Sequence, residues 1–438
     1  MPHCCIVSRA ARLFRLRRTF MVSVVLSVFA CLVPITASQA QERVRTAARQ
    51  LEIQEFREPV TFVRIGPFQE ELTGYAGLEF NDNSNIAHTG KISRFGFFEG
   101  FTLDTIWPLS HINQLQFSFG GKLREDFYGN GKSYVNFSID PTSLVEFKFA
   151  VSDVLVRLYD QFSYTQDPST NPTVSNTTYL NSFTNTIGGE VKKDLNLATV
   201  SLSGDYAYNN ESGTNAQGQT NASSSGTRNT FRVGSSVAFH WYPTVLYGIE
   251  TSLIRANGSS PGARGVSANV NALNVGPFIR GQITRLTDFD FGCGATLLDA
   301  KPSFPPTYYL SAVVRHQFNP NLQVILSGSH ELFFTTGTDI TEESAFLVAT
   351  QFRLTRFITF TATPTLLLGD SRIPANQAFQ TGSVRGNFKQ YAIEASLEWR
   401  LRRHLTTALK YDFRRRDAES AIGSYSQNVI SFDINYIF

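Results

Sequence analysis

The chain has 438 residues with 39 basic and 36 acidic side chains, and its aromatic content is one-sided, with 37 Phe and 16 Tyr against 2 Met. Residues 1–40 hold five arginines and no acid; without them 34 basic residues face 36 acidic ones, a charge of about −2. No basic surplus therefore argues for a nucleic-acid partner, and the composition is that of short β segments with polar connections.

Residues 1–40 read as a secretory signal peptide. Arg9, Arg12, Arg15, Arg17 and Arg18 precede an apolar run from Phe20 to Thr36, and small Ser38 and Ala40 stand before a cut at Gln41. The run approaches the length of a short membrane helix, so an uncleaved anchor is the alternative. A lipid-anchored reading through Cys31 is weaker, because bulky Phe29 stands where a small residue is expected. Cys4, Cys5 and Cys31 leave with the signal, so Cys293 stays single and no intramolecular disulfide is expected.

Residues 41–71 form a leader before the first strand. Val44, Ala47, Ala48 and Leu51 recur at helical spacing among Arg43, Arg45, Arg49 and Glu52, so the segment reads either as a periplasmic leader or as a plug.

From residue 72 to 438 one unit repeats: an alternating segment of roughly ten residues, a tight turn, a second such segment, then a longer polar loop. The tight turns are predicted at 107–112, 152–153, 194–196, 242–244, 284–287, 319–321, 355–357 and 402–404, where Pro, Asp and Asn supply turn geometry at several. The long loops are predicted at about 82–93, 125–141, 166–178, 209–228, 256–266, 299–306, 335–342, 370–386 and 415–426. Seventeen connections predict an all-β, antiparallel up-and-down transmembrane barrel of about 18 strands, with 16 as the near alternative, short turns on the periplasmic side and long loops outside. A soluble β-sandwich would alternate in the same way. The export signal, the regular loop asymmetry and the aromatic last strand favour the bacterial outer membrane.

The last strand shows the two faces plainly. Ile430, Phe432, Ile434, Tyr436 and Phe438 alternate with Val429, Ser431, Asp433 and Asn435. Trp107, Trp241, Tyr242, Tyr308, Trp399 and Tyr436 lie near segment ends, where interfacial aromatics belong. The polar face is predicted to line a lumen through Arg157, Arg232, Arg280, Arg315, Arg353, Arg400, Glu146, Glu250, Glu394, Glu398, Asp205, Asp288, Asp290, Asp412 and Asp433. Charges of both signs would be costly in a dry core, whereas water in a pore tolerates them and their field discriminates solutes. They read equally as lumen charges paired for stability.

The chain resembles the outer-membrane β-barrel proteins grouped as β-barrel porins. The resemblance covers about residues 66–438 and is carried by LEFNDNSNI at 78–86, LYDQFSYTQDP at 158–168, NSFTNTIGGEVKKDLN at 181–196 and the last strand. It implies a barrel in outer-membrane lipid, with Phe432, Tyr436 and Phe438 as the signal for the barrel-assembly machinery. Neither it nor the charge pattern names a cargo.

Catalytic motifs are missing from the sequence: no HExxH, no GxSxG at a strand-to-helix turn and no GxxxxGK[ST] loop. His330 and Glu331 are adjacent and so face opposite ways on a strand. The loop EFNDNSN at 79–85 lacks the spacing and closing Glu of an EF-hand and reads as solvated. The tract 209–229 reads as solvent-exposed low complexity. No catalytic residue, cofactor or metal is expected. The reading is a porin-like channel for passive diffusion of small hydrophilic solutes, with self-association into a homo-oligomer as a further expectation. The alternative is a binding, scaffold or export component for a surface polysaccharide.

Overall fold

The computed structural model describes residues 63–438, apart from 111, 130, 168–176, 178, 215–219, 243, 260–266, 300–305, 335–339, 373–385 and 420–422. The signal peptide and most of the leader lie outside the described residues.

Every element of any length among the described residues is a strand. A three-residue β1 (Val63–Ile65) precedes β2 (Phe68–Asn81), β3 (Arg94–Pro108), β4 (Gln114–Tyr128), β5 (Ser133–Ile139), β6 (Leu144–Val151), β7 (Val154–Thr165), β8 (Tyr179–Asp194), β9 (Ala198–Thr214) and β10 (Thr220–Tyr242). The second half continues with β11 (Val245–Ser259), β12 (Ser267–Thr284), β13 (Thr287–Asp299), β14 (Thr307–Asn319), β15 (Leu322–Phe334), β16 (Ile340–Arg353), β17 (Ile358–Arg372), β18 (Gly386–Arg402), β19 (Leu405–Ala418) and β20 (Tyr425–Ile437). Neighbours in sequence pair antiparallel all the way round, and β2 pairs with β20 from Thr73 opposite Ile437 to Asn81 opposite Val429. That pairing closes the sheet into an 18-strand barrel, because β5 and β6 share one place in the wall and β1 lies outside the ring. Closure leaves no long sheet edge, which is what a sheet in hydrocarbon requires.

The eight short turns fall where the sequence predicts them. Two carry left-handed residues, Ser152 at φ 58° and Asn196 at φ 69°, and Asn196 donates its backbone N–H to Asp194 Oδ1 at 2.9 Å. Asp153 in the first is exposed, and its carboxyl lies below the usual carboxylate range because a backbone N–H and Lys193, 3.3 Å away, stabilise the charged form.

Two predicted long loops are corrected. The stretch 125–141 is mostly strand: β4 runs on to Tyr128, the connection is 129–132, and β5 follows. The turn-like residues Asp140 and Pro141 mark a bulge between β5 and β6, not a loop. Four residues, 140–143, oppose Phe119 and Gly120 of β4, and Asp140 N–H bonds Gly120 O at 2.9 Å while Ser143 Oγ accepts Gly120 N–H at 3.1 Å. The two extra residues leave the alternation in phase, so Phe137 and Val145 both point outward. The stretch 209–228 likewise is not a loop of that length. The polar tract builds the upper parts of β9 and of the 23-residue β10, with only 215–219 between them. Asn, Ser and Thr serve as strand residues there because the hairpin continues past the apolar band, where a wet outer face costs nothing.

Pro277 in β12 and Pro364 in β17 sit inside central strands. Each coincides with a gap in one ladder: β12–β13 skips from Val275 to Phe278, and β16–β17 from Leu347 to Thr350. The missing N–H is thus absorbed where no partner is needed. At the first gap the strands approach so closely that a Cβ on Gly276 would lie 1.8 Å from Cys293 O. Gly276→Val should therefore destabilise the folded barrel by about 1–3 kcal/mol or more through overpacking against backbone. Denaturant unfolding in detergent micelles checks this; an unchanged midpoint would show that the two strands can part.

The outer face is apolar. Leu78, Phe97, Leu123, Leu158, Ile187, Leu202, Phe231, Ile249, Leu273, Phe291, Leu326, Phe346, Ile393, Leu409 and Phe432 are all exposed and share it. Trp241, Tyr242, Trp399 and Tyr436 are exposed at its short-turn end, where Trp107 packs on Phe68 at 5.2 Å, and Tyr308 is exposed at the long-loop end. An exposed apolar belt rimmed by aromatics is the surface a bilayer requires of a barrel.

Candidate functional site

The inner face carries the chemistry. All the charges predicted for the lumen have the opposite strand parity from the exposed apolar residues, and most meet a partner across a strand boundary. Arg157 on β7 bonds Glu146 on β6, which also takes Lys148. Arg232 lies 3.6 Å from Asp205, Arg280 4.0 Å from Asp290, and Arg315 3.4 Å from Asp288. Arg414 bonds Asp412 and stands 3.6 Å from Glu394, while Lys410 meets Asp433 at 2.7 Å. Glu250 accepts a hydrogen bond from Tyr309 Oη at 3.4 Å. Arg353, Glu398 and Arg400 lie toward the short-turn end, beside Thr359 and Thr406 in register. Aromatic rings steady several guanidiniums: Arg157 lies over Tyr159 at 4.8 Å and Arg280 over Phe278 at 4.3 Å.

The most heavily constrained part of this face was not singled out by the charge pattern. Arg94 at the start of β3 and Arg124 near the end of β4 point inward and are buried, Arg94 at 1% exposure. Arg94 bonds Glu79 of β2, lies 3.2 Å from Asp167 and 3.4 Å from Asp126. Arg124 lies 2.7 Å from Asp167, 2.9 Å from Asp126 and 3.6 Å from Glu79. Asn136 of β5 donates to Asp126 as well. Two guanidiniums thus hold three carboxylates drawn from β2, β4 and the segment after β7. The signal that could have found the two arginines is their parity, since both alternate with Phe95, Phe97, Leu123 and Phe127.

This clamp sits under loop 82–93, which is not the solvated loop that its Asn content suggests. Asn81, Asn83 and Asn85 are buried because their amides replace backbone partners. Asn83 Oδ1 accepts Ala87 N–H at 3.0 Å, and its Nδ2 donates to Ala87 O at 2.9 Å and Ser426 O at 2.8 Å. Asn85 Oδ1 accepts Ile92 N–H at 2.9 Å. Gln427 on the inner face of β20 donates to Asn81 Oδ1 at 3.2 Å and Asn83 O at 3.0 Å. Thr177, from the connection after β7, donates its N–H to Asn85 O at 3.0 Å. Ile86 is held at φ 50°, a conformation rare for a β-branched residue and tolerated only where the surroundings over-determine it. Loop and clamp together bring β2, β3, β4, β20 and the β7–β8 connection to one place at the long-loop end of the lumen.

His330 belongs to neither set. It stacks on Tyr308 at 4.1 Å and bonds Ser344 at 2.8 Å and Glu342 at 3.1 Å, on the face opposite Glu331. Among the described residues no group of three or more His, Cys, Asp or Glu is placed to hold a metal ion.

Closed 18-strand connectivity, an apolar aromatic-rimmed exterior and a charged interior define the class: an outer-membrane β-barrel. No protein-family model matches the sequence, and no curated protein does. Among solved structures the chain is similar to OccK7 (OpdD) of Pseudomonas aeruginosa, at 10% identity over 85% of this chain and 99% of that one, with a TM-score of 0.46. It is also similar to the siderophore receptor PirA of Pseudomonas aeruginosa (9%, 86% and 81%, TM-score 0.45) and to OccK2 (OpdF) of the same organism (12%, 85% and 97%, TM-score 0.44). Likeness at that level carries no argument about cargo, and the class rests on the barrel's own geometry.

Proposed function

We propose that the chain is a porin-like channel through which small hydrophilic solutes diffuse passively across the outer membrane. The observation that carries the reading is the inner face, where acids and bases alternate around the wall as cross-strand pairs. In a solvated lumen such pairs cost little and set a transverse field that orders polar solutes as they pass. A barrel of this strand count is wide enough for an aqueous path. On this reading no residue carries a catalytic step. The partners are outer-membrane lipid, the solutes themselves and the barrel-assembly machinery, which would recognise Phe432, Tyr436 and Phe438.

Liposome swelling with neutral sugars of graded size tests it. Reconstituted protein should admit the smaller sugars faster than the larger, and Arg280→Glu should shift the reversal potential in a salt gradient toward cations. Folded protein that admits no sugar, with or without residues 41–62, would contradict the reading.

A further inference from the structure

The short-turn end of the barrel is electrically lopsided. In the turn between β16 and β17 Arg356 is exposed, and in the turn between β18 and β19 Arg402 and Arg403 are exposed with His404 beside them. Neither turn holds an acid, and none of the three arginines is in an ion pair among the described residues. Glu398, the acid nearest to either turn in sequence, has the parity of the lumen. Across the ring the turns at 152–153 and 194–196 carry Asp153 and Asp194 instead, and Asp153 already meets Lys193 at 3.3 Å. Like charges held together repel, so the arginine group is a place where an anion relieves strain in the field.

The backbone brings the two turns together. Arg400 N–H bonds Phe357 O at 2.8 Å, which carries the β17–β18 register past Ile358 opposite Trp399 and sets Arg356 beside Leu401 and Arg402. The Arg356 guanidinium lies 4.7 Å over the Phe357 ring, which steadies it without cancelling its charge. The terminal carboxylate of Phe438 is carried toward β2, where Phe438 N–H bonds Leu72 O at 2.9 Å. On the membrane side of the arginines the wall is apolar: Leu354, Phe357, Trp399 and Leu401 are all exposed.

That juxtaposition selects the ligand. Trp399 has the lipid-facing parity and marks the edge of the hydrocarbon, so Arg402 and Arg403, just past it in the chain, stand at headgroup depth. A soluble polymer or an acidic protein would use the cations alone, whereas an amphiphile uses the cations and the apolar wall together. Guanidinium groups match phosphate oxygens through paired N–H donors. Short turns face the periplasm, and the leaflet on that side is built of phospholipids. A zwitterionic headgroup brings its own cation, which the arginines repel; a headgroup with net negative charge does not.

We infer that Arg356, Arg402 and Arg403 form a site for an anionic phospholipid of the periplasmic leaflet, its phosphate held by the guanidiniums and its acyl chains laid on Leu354, Trp399 and Leu401. The site does not depend on whether the barrel conducts.

Trp399 reports on the site from beside it. The chain has three tryptophans, so Trp107→Phe with Trp241→Phe leaves Trp399 alone, and Trp107→Phe with Trp399→Phe leaves Trp241, next to the uncharged Tyr242 and Thr244. Each protein is reconstituted into phosphatidylcholine vesicles with a minor fraction of brominated phosphatidylglycerol or brominated phosphatidylcholine, and quenching gives the association of each lipid. At low salt the glycerol lipid should associate at Trp399 about five-fold more tightly, the worth of one arginine beside an anionic headgroup, and at Trp241 the two should be equal. Arg356→Gln, Arg402→Gln and Arg403→Gln together should remove the preference, whereas Lys at the three positions should keep most of it; exposed turn positions tolerate either set, and heat-modifiable mobility confirms folding. In the unsubstituted patch, about 1 M salt should remove the preference as well. Equal quenching at Trp399 by both lipids, the same preference at Trp241, or a preference that survives the glutamines or the salt overturns the site. Loss of the preference to inorganic phosphate at constant ionic strength also overturns it, by assigning the arginines to a soluble anion.

Discussion

Replacing Arg94 with methionine should cost about 3–5 kcal/mol of folded-state stability, because it leaves three clustered carboxylates, two of them buried, to share Arg124 alone. Glu79, Asp126 and Asp167 converge on Arg94 and Arg124, and Asp126 is 0% exposed. Methionine keeps much of the volume, so the loss reports charge and hydrogen bonding more than packing. The effect should concentrate at the long-loop end: Asp167 keeps only Arg124, Glu79 loses its closest cation, and loop 82–93, which follows directly on β2, should become a protease site in otherwise folded barrels. Arg415→Met is the control. Arg415 pairs with Asp417 at 3.1 Å, but both are at least half exposed, and a pair of that kind contributes roughly 0–1 kcal/mol. Denaturant unfolding in micelles compares the two. Equal midpoints would mean that the clamp is worth no more than a surface pair.

Phe432→Arg should cost about 2–4 kcal/mol of barrel stability in a bilayer, the penalty for a cation near the hydrocarbon midplane on a lipid-facing position. Phe432 lies midway along β20, is 42% exposed, and pairs with Leu409 on one side and Leu78 on the other, both exposed and apolar. Ser431→Asn, one residue earlier, turns to the opposite face and sits between Lys410 and Glu79 in register. It should fold and insert nearly as the parent does. Reversible unfolding from lipid vesicles measures both, and a reversed order of effects would show that the faces have been assigned the wrong way round.

What the sequence revealed and what it concealed follow different physics. The short turns were legible even where no proline marks the reversal: two or three polar residues between alternating runs suffice, as at 152–153 and 402–404. The outer face was legible because a period of two admits only one register against lipid. The bulge at 140–143 was not, since Asp and Pro mark a turn and a bulge alike. The polar tract of β9 and β10 resembles a loop in sequence because hydropathy reports the surroundings of a strand rather than its hydrogen bonds. Loop 82–93 was hidden for a related reason: Asn is a solvation signal until its amide finds backbone partners, as Asn83 does with Ala87 and Ser426. The Arg94–Arg124 clamp depends on Asp167, which arrives from a connection beyond β7, and single-sequence periodicity holds no information about that meeting.

Single-channel recording of the purified barrel in planar bilayers, with and without residues 42–61, decides whether it conducts. Discrete ohmic openings are expected, with ion selectivity that follows charge changes at Arg280 and Asp290. Folded, heat-modifiable barrels of both forms that leave the bilayer electrically silent would contradict a channel.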